Sequence, residues 1–585
     1  MGILSDLNRL WDLRRGDADD DRSSPHGRGW RALAISTALE FNYLTAAIAF
    51  VWLMLVPAVL VGLAVPIVTA LTRWKLEAAG NIPLRPVAAL ISLAVLVAVV
   101  LWIARPLLAM SLDNFWHLHY TLVFPLFVAF RELISAGLER LPPDTLDAEQ
   151  LHSRRRSGTV LATLLLAGAG VSLAAAFPVS TDAGLSDLRS ISPSSLTGAT
   201  VSNAIVVLGV SMAAASLLWF WLEITVSSPV ANWRPDGKAS GDATVRIAHL
   251  SDLHLVGERY GYRMEAGTHG PGGNGRVADA LCRLEALQVN TPFARIVVTG
   301  DVTDAGTRAE WLEFLALVHR SPTLRDRLLF IPGNHDVNII DRANPGRFDL
   351  PWSTTGALRK LRVILALDAV QGDRVHLVDG RTGRLGPTLA EYLRTGERGA
   401  LLAGLAERGT WRGRWETVKV WDEIFPLVAP PAEEGCGVIL LDSNARRHFS
   451  LTNAIGVIGR AQLRALASLL RAYRGADWIV AVHHHLVEYP VQGLGLDERI
   501  GVVLVNAPDV LRVIARHERP ILVLHGHRHR EWIGTRGKTV LCSAPSVTLG
   551  DKGTDDERCS FSLYDLALTG AEGMRLTAVQ RVTVA

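Results

Sequence analysis

Cysteine is scarce in this chain of 585 residues: Cys282, Cys436, Cys542 and Cys559 are far apart and form no C-x-x-C pair. Such spacing argues against a disulfide framework or a zinc knuckle and suits free thiols in a reducing compartment. Lysine is scarce too, with six among 60 basic residues, a bias that fits a GC-rich, bacterial genome. No basic tract dominates and the net charge is only +3, so no nucleic-acid partner is expected. The stretch Met1–Arg31 lacks the short basic start and small-residue cleavage site of a secretory signal. Residues 1–43 read as a polar, partly disordered cytoplasmic tail.

Apolar residues, by contrast, are abundant: they make up 49% of the chain, mean hydropathy is +0.23, and the excess concentrates in the first 230 residues or so. A helix needs roughly 20 apolar residues to cross the hydrocarbon core of a bilayer. Leu44–Leu71, Val87–Ala104 and Val160–Val179 are long apolar runs, and Asn203–Val226 holds one acid, Glu223. These predict four spans in an all-α transmembrane region at 44–226. The shorter run Tyr120–Phe130, near Asp113, His117 and His119, reads as an interfacial or buried segment, or as a fifth span over Pro106–Phe130. Arg154, Arg155 and Arg156 precede the third span, the loop Ser180–Thr200 holds only Arg189, and Arg234, Lys238 and Arg246 follow the fourth. By the positive-inside rule the third span leaves the cytoplasm and the fourth returns, so everything after it faces the cytoplasm at the inner membrane. Residues 227–242, with Pro229, Pro235, Gly237 and Gly241, read as a linker. Residues 243–585 form an α/β domain.

Six short β-like runs in that domain each end in polar residues. Val245–Leu250 leads into Asp252 and His254, Arg295–Thr299 into Gly300 and Asp301, and Leu328–Ile331 into Gly333-Asn334-His335-Asp336. Val438–Leu441 leads into Asp442-Ser443-Asn444, Trp478–Val482 into His483-His484-His485, and Ile521–Leu524 into Gly526-His527-Arg528-His529. Ligands of α/β proteins bind at the carboxyl ends of strands, so six such ends predict one shared site. Carboxylate and amide oxygens with imidazoles, and no thiolate, suit manganese, iron or zinc. Gly300, Gly333 and Gly526 beside these residues predict tight backbone turns.

The ordered blocks D-x-H, G-D, G-N-H-D, a histidine after a strand, and G-H-x-H resemble the calcineurin-like metallophosphoesterase family over about Val245–Ala585. The resemblance implies a four-layer α/β/β/α sandwich and two divalent metal ions. It places Asp252, His254 and His529 on one ion, Asn334, His527 and His483 on the other, and Asp301 as the bridge. His484 is the alternate to His483, because three histidines stand here where many relatives have two and a proline; His485 reads as structural. His335 is implied as the non-ligand that protonates the leaving oxygen or stabilises the transition state, held in place by Asp336. The implied reaction is hydrolysis of a phosphomonoester, phosphodiester or pyrophosphate bond by metal-activated hydroxide.

The remaining features divide between structure and function. Asp304 reads first as the cap of a helix starting near Gly306 and second as a substrate contact. Asp442-Ser443-Asn444 reads as structural support or as an outer shell of the site. Leu463, Leu466 and Leu470 mark the core face of a helix. Residues 338–437, with Trp352, Trp411, Trp415 and Trp421, form an insertion, either a substrate-selecting cap or a structural addition. The whole reads as a membrane-anchored phosphohydrolase whose phosphate-ester substrate is a lipid or a nucleotide. The rival reading is a membrane sensor or transport component whose phosphoesterase-like domain binds a ligand without turnover.

Overall fold

A computed structural model describes residues 51, 55–56, 58–66, 124–142, 146–179, 193–226, 230–234, 244–257, 272–337, 355–408, 410–431, 435–444, 454–490, 504–551, 558–569 and 573–584. The chain divides into two compact units, one spanning residues 43–146 and 150–227, the other holding residues 228–585 with short earlier pieces.

The first unit is helical. Residues 58–66 are helical within the expected run Leu44–Leu71, while Val87–Ala104 lies outside the described residues. The helix near the short run Tyr120–Phe130 spans Phe124–Glu139 and continues past the apolar residues into Arg131, Glu132 and Glu139. The next two helices, Ala148–Ala176 and Pro193–Val226, extend beyond the expected apolar runs. Within them, Glu149–Ala176 and Leu196–Trp221 are long and apolar enough to cross a membrane. They meet through glycine: a Cβ on Gly170 would overlap the Gly209 carbonyl oxygen, and one on Gly209 the Gly170 carbonyl oxygen. Small residues at such a crossing let two backbones touch, the packing mode helices use where no hydrophobic effect draws them together. Arg131 pairs with Glu223 and Glu132, and Arg155 with Glu139 at 3.0 Å. Arg154 donates to the Leu138 and Pro142 carbonyls at 2.9 and 2.7 Å, satisfying acceptors that a helix end leaves open.

The second unit is built on two mixed sheets. Its strands are β1 (Ala231–Asn232), β2 (Thr244–Leu250), β3 (Arg295–Val298), β4 (Leu328–Phe330), β5 (His376–Val378), β6 (Leu385–Thr388) and β7 (Leu427–Ala429). They continue with β8 (Gly437–Leu440), β9 (Trp478–Ala481), β10 (Ile521–His525), β11 (Trp532–Arg536), β12 (Thr539–Ser543), β13 (Ser560–Thr569) and β14 (Gly573–Thr583). One sheet runs β14-β13-β2-β3-β4, the other β1-β11-β12-β10-β9-β8-β7-β5-β6. β2, β3 and β4 are parallel, with Ile247 opposite Arg295 and Val297 opposite Leu329. β8, β9 and β10 are parallel too, with Val438 opposite Ile479 and Ile479 opposite Leu522. Buried on both faces, these strands read as continuous apolar runs. One apolar core takes Ile247, Val297 and Phe561 from the first sheet and Val438, Ile479 and Leu522 from the second.

Two segments outside the six expected strands join the larger sheet. Part of the expected linker is strand: β1 pairs with β11, and the Trp532 indole donates to Asn232 at 3.0 Å. Within the insertion, β5, β6 and β7 extend the larger sheet, and Leu361, Ile364, Val420 and Trp421 join the core. Its residues 338–354 lie outside the described set.

Candidate metal centre

The parallel strands at the heart of each sheet point their carboxyl ends at one place. Asp252 and His254 follow β2, Asp301 follows β3, Asn334 and His335 follow β4, His483 follows β9, and His527 and His529 follow β10. The loops are forced into unusual backbone. Asp252 (φ 53°), His254 (42°), Asp301 (48°), His527 (72°) and His529 (50°) are all left-handed, at roughly 1–3 kcal/mol each. Fully burying one Val, Leu or Ile contributes about 1.5–3 kcal/mol, so the strands beneath can hold this strain. Hydrogen bonds hold it locally. The Asp252 and His254 amides donate to the carbonyls of Gly300 and Asp301 at 3.1 and 2.9 Å, the His527 amide donates to the Asp252 carboxylate at 3.0 Å, and the Ser546 hydroxyl donates to the Asp252 carbonyl at 2.6 Å.

The glycines divide into two kinds. Gly300 has φ 97° and meets the expectation of a tight turn. Gly333 and Gly526 do not adopt positive φ; they are needed for space, since a Cβ would strike the Asp301 carboxylate in one case and Ser251 and the Asp252 carboxylate in the other.

Two groups of donors meet at Asp301. In the first, His254 Nε2 lies 3.1 Å from His529 Nε2, 4.0 Å from Asp252 Oδ1 and 3.9 Å from Asp301 Oδ2, and His529 Nε2 lies 3.3 Å from Asp252 Oδ1. In the second, His483 Nε2 lies 3.0 Å from Asn334 Oδ1, 3.1 Å from His527 Nδ1 and 3.3 Å from Asp301 Oδ2. Ligands about 2.1 Å from one ion stand about 3.0–3.4 Å apart when adjacent and at most about 4.2 Å apart when opposite. The separations here fall in that range, and the mixed oxygen and imidazole chemistry suits borderline divalent ions. The residues therefore fit a metal pair. His335 also stands close, with one donor atom within 4.8 Å of donors from His254 and Asp301.

Outer contacts aim these donors. The His483 Nδ1–H donates to the Thr299 carbonyl at 2.8 Å, which turns Nε2 towards the cluster. Asp301 Oδ1 accepts from the His335 amide at 2.9 Å, directing Oδ2 to the donors. Burial would raise the Asp301 carboxyl, but the neighbouring His483, His335 and His254 outweigh it and hold the group well below the usual carboxylate range. Burial would lower the His483 imidazole, and the Asp301 carboxylate reverses this, raising it to about 9.

Two expectations need correction. Asp336 does not hold the His335 ring: its oxygens accept from the amides of Thr303 (2.8 Å), Gly333 (2.8 Å) and Val302 (3.2 Å) and from the Thr303 hydroxyl (2.6 Å), tying the loops after β3 and β4 together. The His335 ring is oriented instead by the Asp304 carbonyl, which accepts from its Nδ1 at 2.7 Å. Asp304 is not the helix cap either. The helix Arg308–Arg320 is capped by Thr307 in a reciprocal box with Glu310, while the buried Asp304 carboxylate faces His254 Nδ1 at 3.4 Å. The signal for the true cap was present as T-x-x-E; nothing in the sequence linked Asp304 to His254.

The histidine run separates into three surroundings. His483 enters the donor cluster. His484 lies behind it, its Nδ1 2.8 Å from the Ser443 hydroxyl and its ring 4.4 Å from that of His527. His485 Nε2 lies 3.3 Å from Glu488. Asp442 accepts from the Trp421 indole at 2.8 Å, and Asn444 donates to the Pro332 carbonyl at 3.2 Å, so this triplet braces the site.

Comparison with known proteins agrees with this geometry. Residues 245–531 match the family model of the calcineurin-like phosphoesterases, and they form a domain of that type. Among particular proteins, a 133-residue stretch is 26% identical to a protein of Coxiella burnetii described as a probable cyclic nucleotide phosphodiesterase. That stretch covers 23% of this chain and 48% of the relative, so the match spans about half the relative's length. A dimetal phosphatase of Danio rerio is similar over 58% of this chain and 99% of its own, at 13% identity and a TM-score of 0.28. The NAD nucleotidase of Haemophilus influenzae is similar over 59% and 57%, at 8% identity and a TM-score of 0.30. Structural likeness this slight carries no argument about substrate.

Proposed function

We propose that the chain is a membrane-anchored, dinuclear-metal phosphohydrolase acting at the cytoplasmic face of the inner membrane on a phosphomonoester, phosphodiester or pyrophosphate bond. The observation behind this reading is the convergence on Asp301 of oxygen and imidazole donors from both sheets. In it the two sheets are the inner layers of a four-layer sandwich. Asp252, His254 and His529 hold one divalent ion, Asn334, His483 and His527 hold the other, and Asp301 serves both. When bound, such ions supply Lewis acidity: they neutralise phosphoryl charge and lower the pKa of a water. The chain's own groups orient and deliver. His335, its Nδ1–H committed to the Asp304 carbonyl, turns its other nitrogen to the leaving oxygen as proton donor. Asp336, by holding the amides of Val302, Thr303 and Gly333, keeps Asp301 and Asn334 in register.

The Coxiella burnetii relative favours a nucleotide phosphodiester, and the apolar helices favour a lipid phosphoester. A panel of monoesters, cyclic nucleotides, lipid phosphoesters and pyrophosphates, assayed on the full chain with Mn(II), decides between them. Turnover that survives complete metal removal, verified by elemental analysis, overturns the two-metal reading. Cys282 is exposed, whereas Cys436, Cys542 and Cys559 are buried, so Cys282 is the thiol to read for topology. It should react with a membrane-impermeant maleimide only after cells are opened; labelling of intact cells reverses the orientation.

A further inference from the structure

The helix Trp411–Ile424 covers one face and leaves the other bare. Its buried residues Gly413, Thr417, Val420, Trp421 and Ile424 fall within about 100° of arc at 100° per residue. Gly413 approaches the helix Arg398–Arg408 so closely that a Cβ would overlap the Leu401 carbonyl oxygen and Leu405. On the opposite side stand Trp411 and Trp415, one turn apart and 58% and 73% exposed, with exposed Arg412 and Lys419 on the same arc. The Arg414 guanidinium lies 4.9 Å over the Trp411 ring. Of the acids on this helix, Glu416 is paired with Arg398 at 3.1 Å, Glu423 accepts from the Tyr392 hydroxyl, and Asp422, exposed on the same arc, stands about two turns beyond Trp415. The end bearing the tryptophans is therefore aromatic and cationic.

Single exposed apolar residues are ordinary on a soluble surface; two indoles on one helix face are not scattered singles. Indole has an apolar body and a polar N–H, and it concentrates at the boundary between headgroups and acyl chains. Adjacent guanidinium and ammonium groups complement anionic lipid. We infer that the Trp411–Trp415 face docks onto the interface of a bilayer containing anionic phospholipid. The inference rests on the proposed anchorage, because a face this small binds weakly unless the chain already sits on the membrane, where tethering raises its effective concentration.

The test uses the full chain with Cys282→Ser, reconstituted in nanodiscs of phosphatidylcholine with or without phosphatidylglycerol. A fluorophore is placed at Lys419→Cys on the proposed face, or at Val289→Cys, which is 81% exposed on another helix, and is quenched by nitroxide-bearing lipid. Quenching at position 419 should be several-fold stronger than at 289, should grow with phosphatidylglycerol, and should fall to the 289 level in Trp411→Ala/Trp415→Ala and partway in Arg412→Glu. Equal quenching at both positions in a chain that co-elutes with nanodiscs overturns the docking alone. A chain that does not co-elute overturns the anchorage and the docking together. Fluorophore burial that depends on protein concentration and not on lipid assigns the face to a second copy and overturns the inference.

Discussion

The two units wear their apolar residues on opposite sides. In the helical unit, Leu164, Leu165, Val171, Val201, Val210, Leu217 and Trp221 are all at least half exposed, while glycines and alanines fill the contact between helices. In the sheet unit, large apolar residues are buried and carboxylates and imidazoles are buried with them, at the strand ends. Among the described residues, the only large apolar side chains it exposes are Val289, Trp411 and Trp415. Under the proposed anchorage the difference follows from the solvent: helices facing lipid gain little by hiding leucine and join through close backbone contact, whereas a domain in water must hide it. A buried polar cluster in the second kind of unit then demands a chemical reason.

That comparison can be broken at several points. The largest expected effect is at Asp301, which both donor groups share: Asp301→Asn should lower activity by about 10³-fold or more and empty both metal positions by elemental analysis. Loss of one ion only would sink the shared role. His335→Ala should slow turnover by ~10²–10⁴-fold with metal content retained; metal loss equal to that of Asp301→Asn would make His335 a ligand instead. Asp304→Ala should weaken metal affinity by ~10–100-fold, as expected when a group that aims a histidine ligand is removed, and a metal titration measures it. An unchanged titration would return Asp304 to a purely structural role.

In the helical unit, Gly209→Leu should force the two helices apart at the Gly170 crossing. Overpacking costs about 1–3 kcal/mol, read as a lower thermal midpoint of the helical unit in detergent, whereas Leu164→Ala on its exposed side should shift the midpoint far less. Similar losses from both would mean that the outward face is packed after all. The smallest effect concerns Glu310, whose carboxyl is pushed up to about 8, first by burial and then by Asp304. A folded value above the unfolded one of 4.5 means that its stabilising contribution is complete below the unfolded value and is lost as pH rises through about 8. Glu310→Gln keeps a glutamine suited to the capping box, so it should flatten the decline in stability between these pH values. An unchanged decline would show that Glu310 is ionised in the fold.

Much of the site was legible from residues adjacent in sequence. Each donor follows directly on a strand, so D-x-H, G-D, G-N-H-D and G-H-x-H point to the residues that the fold brings together, and the six strands appear within a residue or two of their expected ends. What depended on contacts between loops was not legible. Asp304 looks like a cap when read along the chain, yet the loops after β2 and β3 run side by side, bridged in parallel at Leu255 and Thr303, so that it faces His254. Asp336 looks like the partner of the histidine beside it, yet its carboxylate is used by three backbone amides from two loops.

The amino-acid sequence by itself determined where apolar runs fall, which strands form, and which side chains can meet an ion, because these follow from periodicity, strand ends and ligand chemistry. Only the tertiary structure decided that His483 and not His484 enters the donor cluster, that β5, β6 and β7 of the insertion extend a sheet, and that Trp411 and Trp415 stand uncovered. Each of these depends on which neighbour occupies the space beside a residue, and a linear sequence does not specify that until its segments are packed together.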